Sequence, residues 1–149
     1  MARNFSFCLT NPVRRVTFIT DLHENQITEF GEDLTKLRSL GYLDLSKNQV
    51  ATLPDNFGEL NQLVTLNLAE NEVLSFPNDR IDVLASLLIL DVTNNHIDTF
   101  PIDFPYLYRI EIVLARGNDL TDLPKDIDKM KGLLNRELMP VEEGIKKVH

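Results

Sequence analysis

The chain has 149 residues, 43% of them hydrophobic, with a net charge of −8, the composition of one ordinary globular domain. The acidic balance opposes binding to nucleic acid through phosphate neutralisation and disfavours anionic membrane surfaces. No stretch approaches the roughly 18 apolar residues of a membrane span, and a single cysteine, Cys8, allows no intramolecular disulfide. At the start of the chain Phe5, Phe7 and Leu9 alternate in the manner of a short strand, and Asn11-Pro12 reads as a turn. Residues 1–16 are expected to form an N-terminal cap. They lack a basic region followed by a long apolar core, so no secretory signal is expected there.

From residue 17 to 132 one unit is copied five times. Asn25, Asn48, Asn71, Asn95 and Asn118 follow one another at steps of 23, 23, 24 and 23 residues. The second copy runs Leu40, Leu43, Leu45, Asn48, Val50, Leu53, Pro54, and the third Leu63, Leu66, Leu68, Asn71, Val73, Phe76, Pro77. The fourth is Leu87, Leu90, Val92, Asn95, Ile97, Phe100, Pro101, and the fifth Ile110, Val113, Ala115, Asn118, Leu120, Leu123, Pro124. In the first copy Leu22, Asn25, Ile27 and Phe30 fit, while Thr17 and Thr20 stand at leucine positions and Gly31 replaces the proline. A period in the twenties marks a solenoid, whose terminal repeats are atypical because one face meets water.

Alternate side chains of a strand face opposite sides, so Leu43 and Leu45 point to one face and Asp44 to the other. One coil cannot bury its apolar face alone, whereas stacked coils bury a continuous core. Each asparagine ends its strand at a sharp turn, where its amide can bond backbone groups of its own and the neighbouring coil. The pairs Leu34/Leu37, Phe57/Leu60, Phe104/Leu107 and Ile127/Met130 are expected to seal the back of the core. The extra residue of the long interval falls in the return from Pro77 to Ser86, and residues 79–88 carry helix-compatible apolar spacing. Beyond Leu133 a sixth copy fails at Arg136, and residues 133–149 read either as a C-terminal cap, with Val141, Ile145 and Val148 on a short helix, or as a tail.

The frame L-x-x-L-x-L-x-x-N-x-L with its apolar-Pro step resembles the leucine-rich repeat family, most closely its small Ras-suppressor-like members with 23-residue repeats. The resemblance implies an α/β solenoid with a curved parallel β-sheet on the concave face and irregular or short helical convex returns. It also implies a noncatalytic adaptor or regulatory protein-binding role. Extracellular members of the family usually close their ends with cysteine clusters. Cytoplasm or nucleus is therefore the expected compartment, not secretion.

Projected on this frame, the exposed side of the sheet carries two columns. The third position reads Ile19, Tyr42, Thr65, Ile89, Ile112, and the fifth Asp21, Asp44, Asn67, Asp91, Leu114. The candidate binding residues are Tyr42, Asp44, Asn67, Ile89, Asp91, Ile112 and Leu114. The apolar ones suit anchors at an interface centre, and the acids suit steering of a partner with a basic surface. Tyr42 could equally be covered by the N-terminal cap. A structural subunit held by its convex face or ends is the alternative reading.

No chemistry of catalysis is legible. His23 stands beside Asp21 and Glu24 without a second histidine at zinc-binding spacing. His96 follows a ladder asparagine, and no histidine is brought near Cys8 by the frame. No glycine-rich phosphate loop is present. No enzyme activity, cofactor, metal or small-molecule substrate is expected.

Overall fold

The protein is described here by a computed structural model covering residues 5–11, 15–29, 31, 33–77, 81–130, 132 and 133. Its spine is a six-stranded sheet in sequential order: β1 (Phe5–Asn11), β2 (Arg15–Asp21), β3 (Leu40–Asp44), β4 (Thr65–Asn67), β5 (Ile89–Asp91) and β6 (Ile112–Leu114). From β2 to β6 every pairing is parallel. β1 departs from that rule by pairing antiparallel with β2, Phe5 opposite Asp21 through Asn11 opposite Arg15. A parallel pair needs a long crossover, and only residues 12–14 separate these two strands. β2 begins at Arg15, two residues before the expected start of the first copy. The turn expected at Pro12, the expected helix at 141–148 and the rest of residues 134–149 lie outside the described residues.

The parallel register follows the asparagine frame. Tyr42 pairs with Thr65, Thr65 with Ile89, and Ile89 with Ile112. Each return then closes on the next strand by consecutive three-residue steps. Leu60 N–H donates to Phe57 O and Leu63 N–H to Leu60 O, and the same pattern recurs at Ile81/Leu84/Leu87, Phe104/Leu107/Ile110 and Ile127/Met130/Leu133. Three-residue spacing is the period of a 3-10 turn, where side chains at i and i+3 eclipse. This explains why, over the described part of the 79–88 segment, the apolar spacing gives a single turn at Ile81–Val83 in place of a longer helix. Because Phe76 and Ile81 both occupy their frame positions in the core, the extra residue lies between them.

Leu43, Leu45, Leu66, Leu68, Leu90, Val92, Val113 and Ala115 are fully buried, one pair from each of the coils of β3 to β6, the second residue just past the strand. Behind them Phe76 stacks on Phe100 at 6.1 Å, and Phe100 packs on Phe104 at 4.2 Å between ring centroids. One expected sealing residue does not seal. Leu37 is 45% exposed, whereas its counterpart Leu60 is fully buried. Among the described residues, no return segment precedes the first coil to cover Leu37 on that side.

Candidate exposed face of the sheet

The asparagine ladder sets the geometry of the exposed face. Asn71 Oδ1 accepts the Val50 N–H at 2.9 Å, and its Nδ2 donates to Leu45 O of the preceding coil and Leu68 O of its own. Asn48, Asn95 and Asn118 repeat this bridge to Ile27, Val73 and Ile97. Among the described residues Asn25 bonds within its own coil, to Leu22 O and His23 O, consistent with its place in the first coil.

The residue before each asparagine turns the chain left-handed. Glu24, Lys47, Glu70 and Asn94 have φ of 54–56°, and Gly117 has φ of 72°. This conformation is costly for side chains other than glycine and tolerated by asparagine. It sharpens the turn and lifts the eighth-position side chains to the rim of the face. There Lys47 Nζ meets Glu24 Oε1 at 2.9 Å across two coils. The contact raises the Lys47 pKa and lowers that of Glu24.

The register brings the expected surface residues together in two rows. Ile19, Tyr42, Thr65, Ile89 and Ile112 are directly opposed from strand to strand, and so are Asp21, Asp44, Asn67, Asp91 and Leu114. Both rows are half-buried. The fifth-position residues carry a structural duty that the sequence reading missed. Asp21, Asp44, Asn67 and Asp91 each accept, through Oδ1, the N–H two residues on, at His23, Ser46, Ala69 and Thr93. This is the Asx-turn habit of Asp and Asn, and their recurrence at one frame position was its signal. Leu114 has no such acceptor.

Asp44 is the most engaged of them. Its Oδ1 also accepts from Ser46 Oγ at 2.6 Å, and its Oδ2 accepts from Tyr42 OH at 3.1 Å and Asn67 Nδ2 at 3.0 Å. Burial first, then the Asp44 carboxylate, raises the Tyr42 pKa. Asp44, Tyr42 and Asn67 thus form one closed polar network in the middle of the face. Asp91 commits only Oδ1 among the described contacts. At the first coil His23 Nδ1 lies 2.6 Å from Asp21 Oδ1. That hydrogen bond raises the His23 pKa and lowers that of Asp21.

A third row, at the second frame position, went unread. Phe18 is 43% exposed and Val64 36% exposed, and Leu88 is half-buried. The same position holds buried Gly41 and exposed Glu111. Among the described residues no group of three His, Cys, Asp or Glu is placed to hold a metal ion, and no helix is long and apolar enough to cross a membrane. On the return side a hollow of about 480 Å³ is lined by Arg38, Asp55, Asn56 and Glu59. Arg38 is paired there with Glu59 at 3.2 Å.

The family described as leucine rich repeat matches residues 21–73. A solved leucine-rich repeat protein of Leptospira interrogans superposes with a TM-score of 0.72 at 35% identity, over 75% of this chain. The chain belongs to the leucine-rich repeat family. It spans 28% of the length of that Leptospira protein. No curated protein matches it. Leucine-rich repeat domains generally mediate protein–protein interaction, and their fold is typically non-catalytic.

Proposed function

We propose that this leucine-rich repeat chain is a noncatalytic adaptor or regulatory module that binds a protein partner through the concave face of its sheet. One observation carries the reading. Ile89 and Ile112 stand half-buried and directly opposed on adjacent strands, with half-buried Leu114 two residues beyond Ile112, all three facing away from the core. Exposed apolar side chains that touch across strands form a contiguous patch, and such patches mark interaction sites. The partner's surface is basic, as a net charge of −8 and the second oxygen of Asp91 favour. Cytoplasm or nucleus is the proposed compartment, resting on the single cysteine.

A second reading, a structural subunit held by its returns, is favoured by another observation. Ile102 and Tyr108 are 82% and 78% exposed on the return between β5 and β6, where Tyr108 packs edge-on to Tyr106. Partner capture separates the two, using wild type, Ile89→Glu/Ile112→Glu and Ile102→Glu/Tyr108→Glu. Loss confined to the first double variant supports the concave face, and loss confined to the second overturns it in favour of the returns. Asp44→Lys is a poor probe, because it breaks four hydrogen bonds inside the chain.

A further inference from the structure

We infer that the element of the partner seated on this face is an amphipathic helix laid across the strands, with basic residues along the shoulders of its apolar stripe. The inference rests on the concave-face reading above and adds the partner's shape and chemistry.

Spacing argues for the helix. An occupant crossing the strands meets one side chain of the third-position row per strand, at intervals of about 4.8 Å. A helix returns the same face every turn, about 5.4 Å. An extended chain presents the same face only every second residue, about 6.7 Å. The helix therefore stays near register over the row from Ile19 to Ile112, whereas the extended chain slips by about 2 Å at each strand. Five strands cover about 19 Å, the length of about 13 helical residues.

The chemistry of the rows agrees. Ile89, Ile112 and Leu114 form an apolar block over β5 and β6, and the accessible Val64 and Leu88 stand immediately ahead of β4 and β5. The block suits a stripe of anchors at i, i+3, i+4 and i+7. Acids border the block on both sides: Asp91 and Glu70 toward the asparagine turns, and exposed Glu111 ahead of β6. Neither Glu70 nor Glu111 makes a side-chain hydrogen bond or ion pair among the described residues. Lysine or arginine on both shoulders of the helix would meet these carboxylates. Toward the first coils the face changes character, since Asp44, Tyr42 and Asn67 satisfy one another and Lys47 is paired with Glu24. The anchors are accordingly Ile89 and Ile112, and the Asp44 network is a polar floor.

The test uses three labelled peptides of about 14 residues, the length that spans the row. The first is a side-chain-bridged helix with a leucine stripe and lysine shoulders. The second is the same helix with glutamate shoulders. The third is a linear peptide of the first composition with leucine and lysine alternating. Each is titrated by fluorescence anisotropy against wild type, Ile89→Glu/Ile112→Glu and Val64→Glu, the last being a more exposed site that keeps the test valid if the double variant unfolds. Backbone amide NMR locates the binding. The lysine-shouldered helix should bind at least about tenfold tighter than either other peptide, shift amides of β4 to β6, and weaken about tenfold on both variants. Equal or tighter binding of the alternating peptide, no binding of the helix, or shifts confined to the returns would overturn the inference. If the helix fails while the concave variants still abolish capture of the natural partner, only the helix is wrong. If those variants leave capture intact, the concave-face reading falls too.

Discussion

Asn71 ties two coils together through Val50: the asparagine Oδ1 accepts the buried Val50 N–H at 2.9 Å, while its amide holds Leu45 O and Leu68 O. Removing that side chain leaves the buried Val50 N–H without its acceptor, while Leu45 O and Leu68 O each keep one donor, from Asn48 and Asn95. Asn71→Ala should lower stability by about 2–3 kcal/mol, from one unsatisfied buried donor and two lost bonds to carbonyls. Asn25→Ala should cost about 1 kcal/mol, since among the described residues its amide bonds Leu22 O and His23 O in a partly exposed coil. Chemical denaturation of the two variants checks this, and equal losses would contradict the bridging role.

The left-handed residues before the asparagines give a second prediction. Gly117 has φ of 72°, and a Cβ there would overlap Asn94 Oδ1. The Asn94 side chain can swing aside, so backbone conformation sets the cost. Gly117→Ala should destabilise by about 1–2 kcal/mol, and Gly117→Asn by about half as much. The same reasoning applies to Asn94, an exposed residue ahead of the ladder asparagine Asn95. With φ of 54°, Asn94→Ala should cost about 1 kcal/mol. Thermal unfolding of the three variants decides it. A larger loss from Gly117→Asn than from Gly117→Ala would contradict the left-handed turn.

Adjacent residues of β5 should behave oppositely. Leu90 is fully buried and Ile89 half-buried on the other face. Leu90→Ala should cost about 2–5 kcal/mol, whereas Ile89→Ser should cost about 1 kcal/mol or less. A reversed order would mean the strand is one residue out of register.

His23 and Asp21 make the face pH-dependent at its first coil. The Asp21 hydrogen bond holds His23 above its ordinary 6.5, and the same contact holds Asp21 below 3.8. A raised histidine contributes stability that is fully present below about 6.5 and is lost as pH rises through its folded value. A lowered carboxylate contributes above about 3.8 and loses that contribution as pH falls through its folded value. The pair is therefore strongest between those limits, and its exposure keeps the effect small. NMR titration of the His23 ring should show a midpoint above 6.5 that drops in Asp21→Asn, leaving only the lesser influence of Asp44 and Glu24. An unchanged midpoint would contradict the contact.

The coil frame was legible because each of its positions admits one kind of side chain. Leu43 and Leu45 have no water to face, and the amide of Asn48 has a donor and an acceptor that the buried turn needs. The extra residue was legible for the same reason, since intact patterns on both sides left it no other place. Less could be read where a residue's role depends on its neighbour across the sheet. Asp44 looks like any surface acid until Tyr42, Ser46 and Asn67 are seen converging on it. The left-handed turns were hidden because Glu24, Lys47 and Glu70 are not residues that favour them, and only Gly117 and Asn94 carry the signal. The exposure of Leu37 was hidden too, because the repeat pattern says what a coil offers and not whether a neighbour covers it.

Photocrosslinking from the sheet tests the concave binding surface most directly. A photoreactive phenylalanine analogue is placed at Thr65, in the middle of the exposed third-position row, or at Tyr108 on the return between β5 and β6. Both versions are irradiated in native extract. Partner binding through the concave face predicts a discrete adduct from position 65 that disappears with Ile89→Glu/Ile112→Glu, and none from position 108. A discrete adduct from position 108 alone would contradict it.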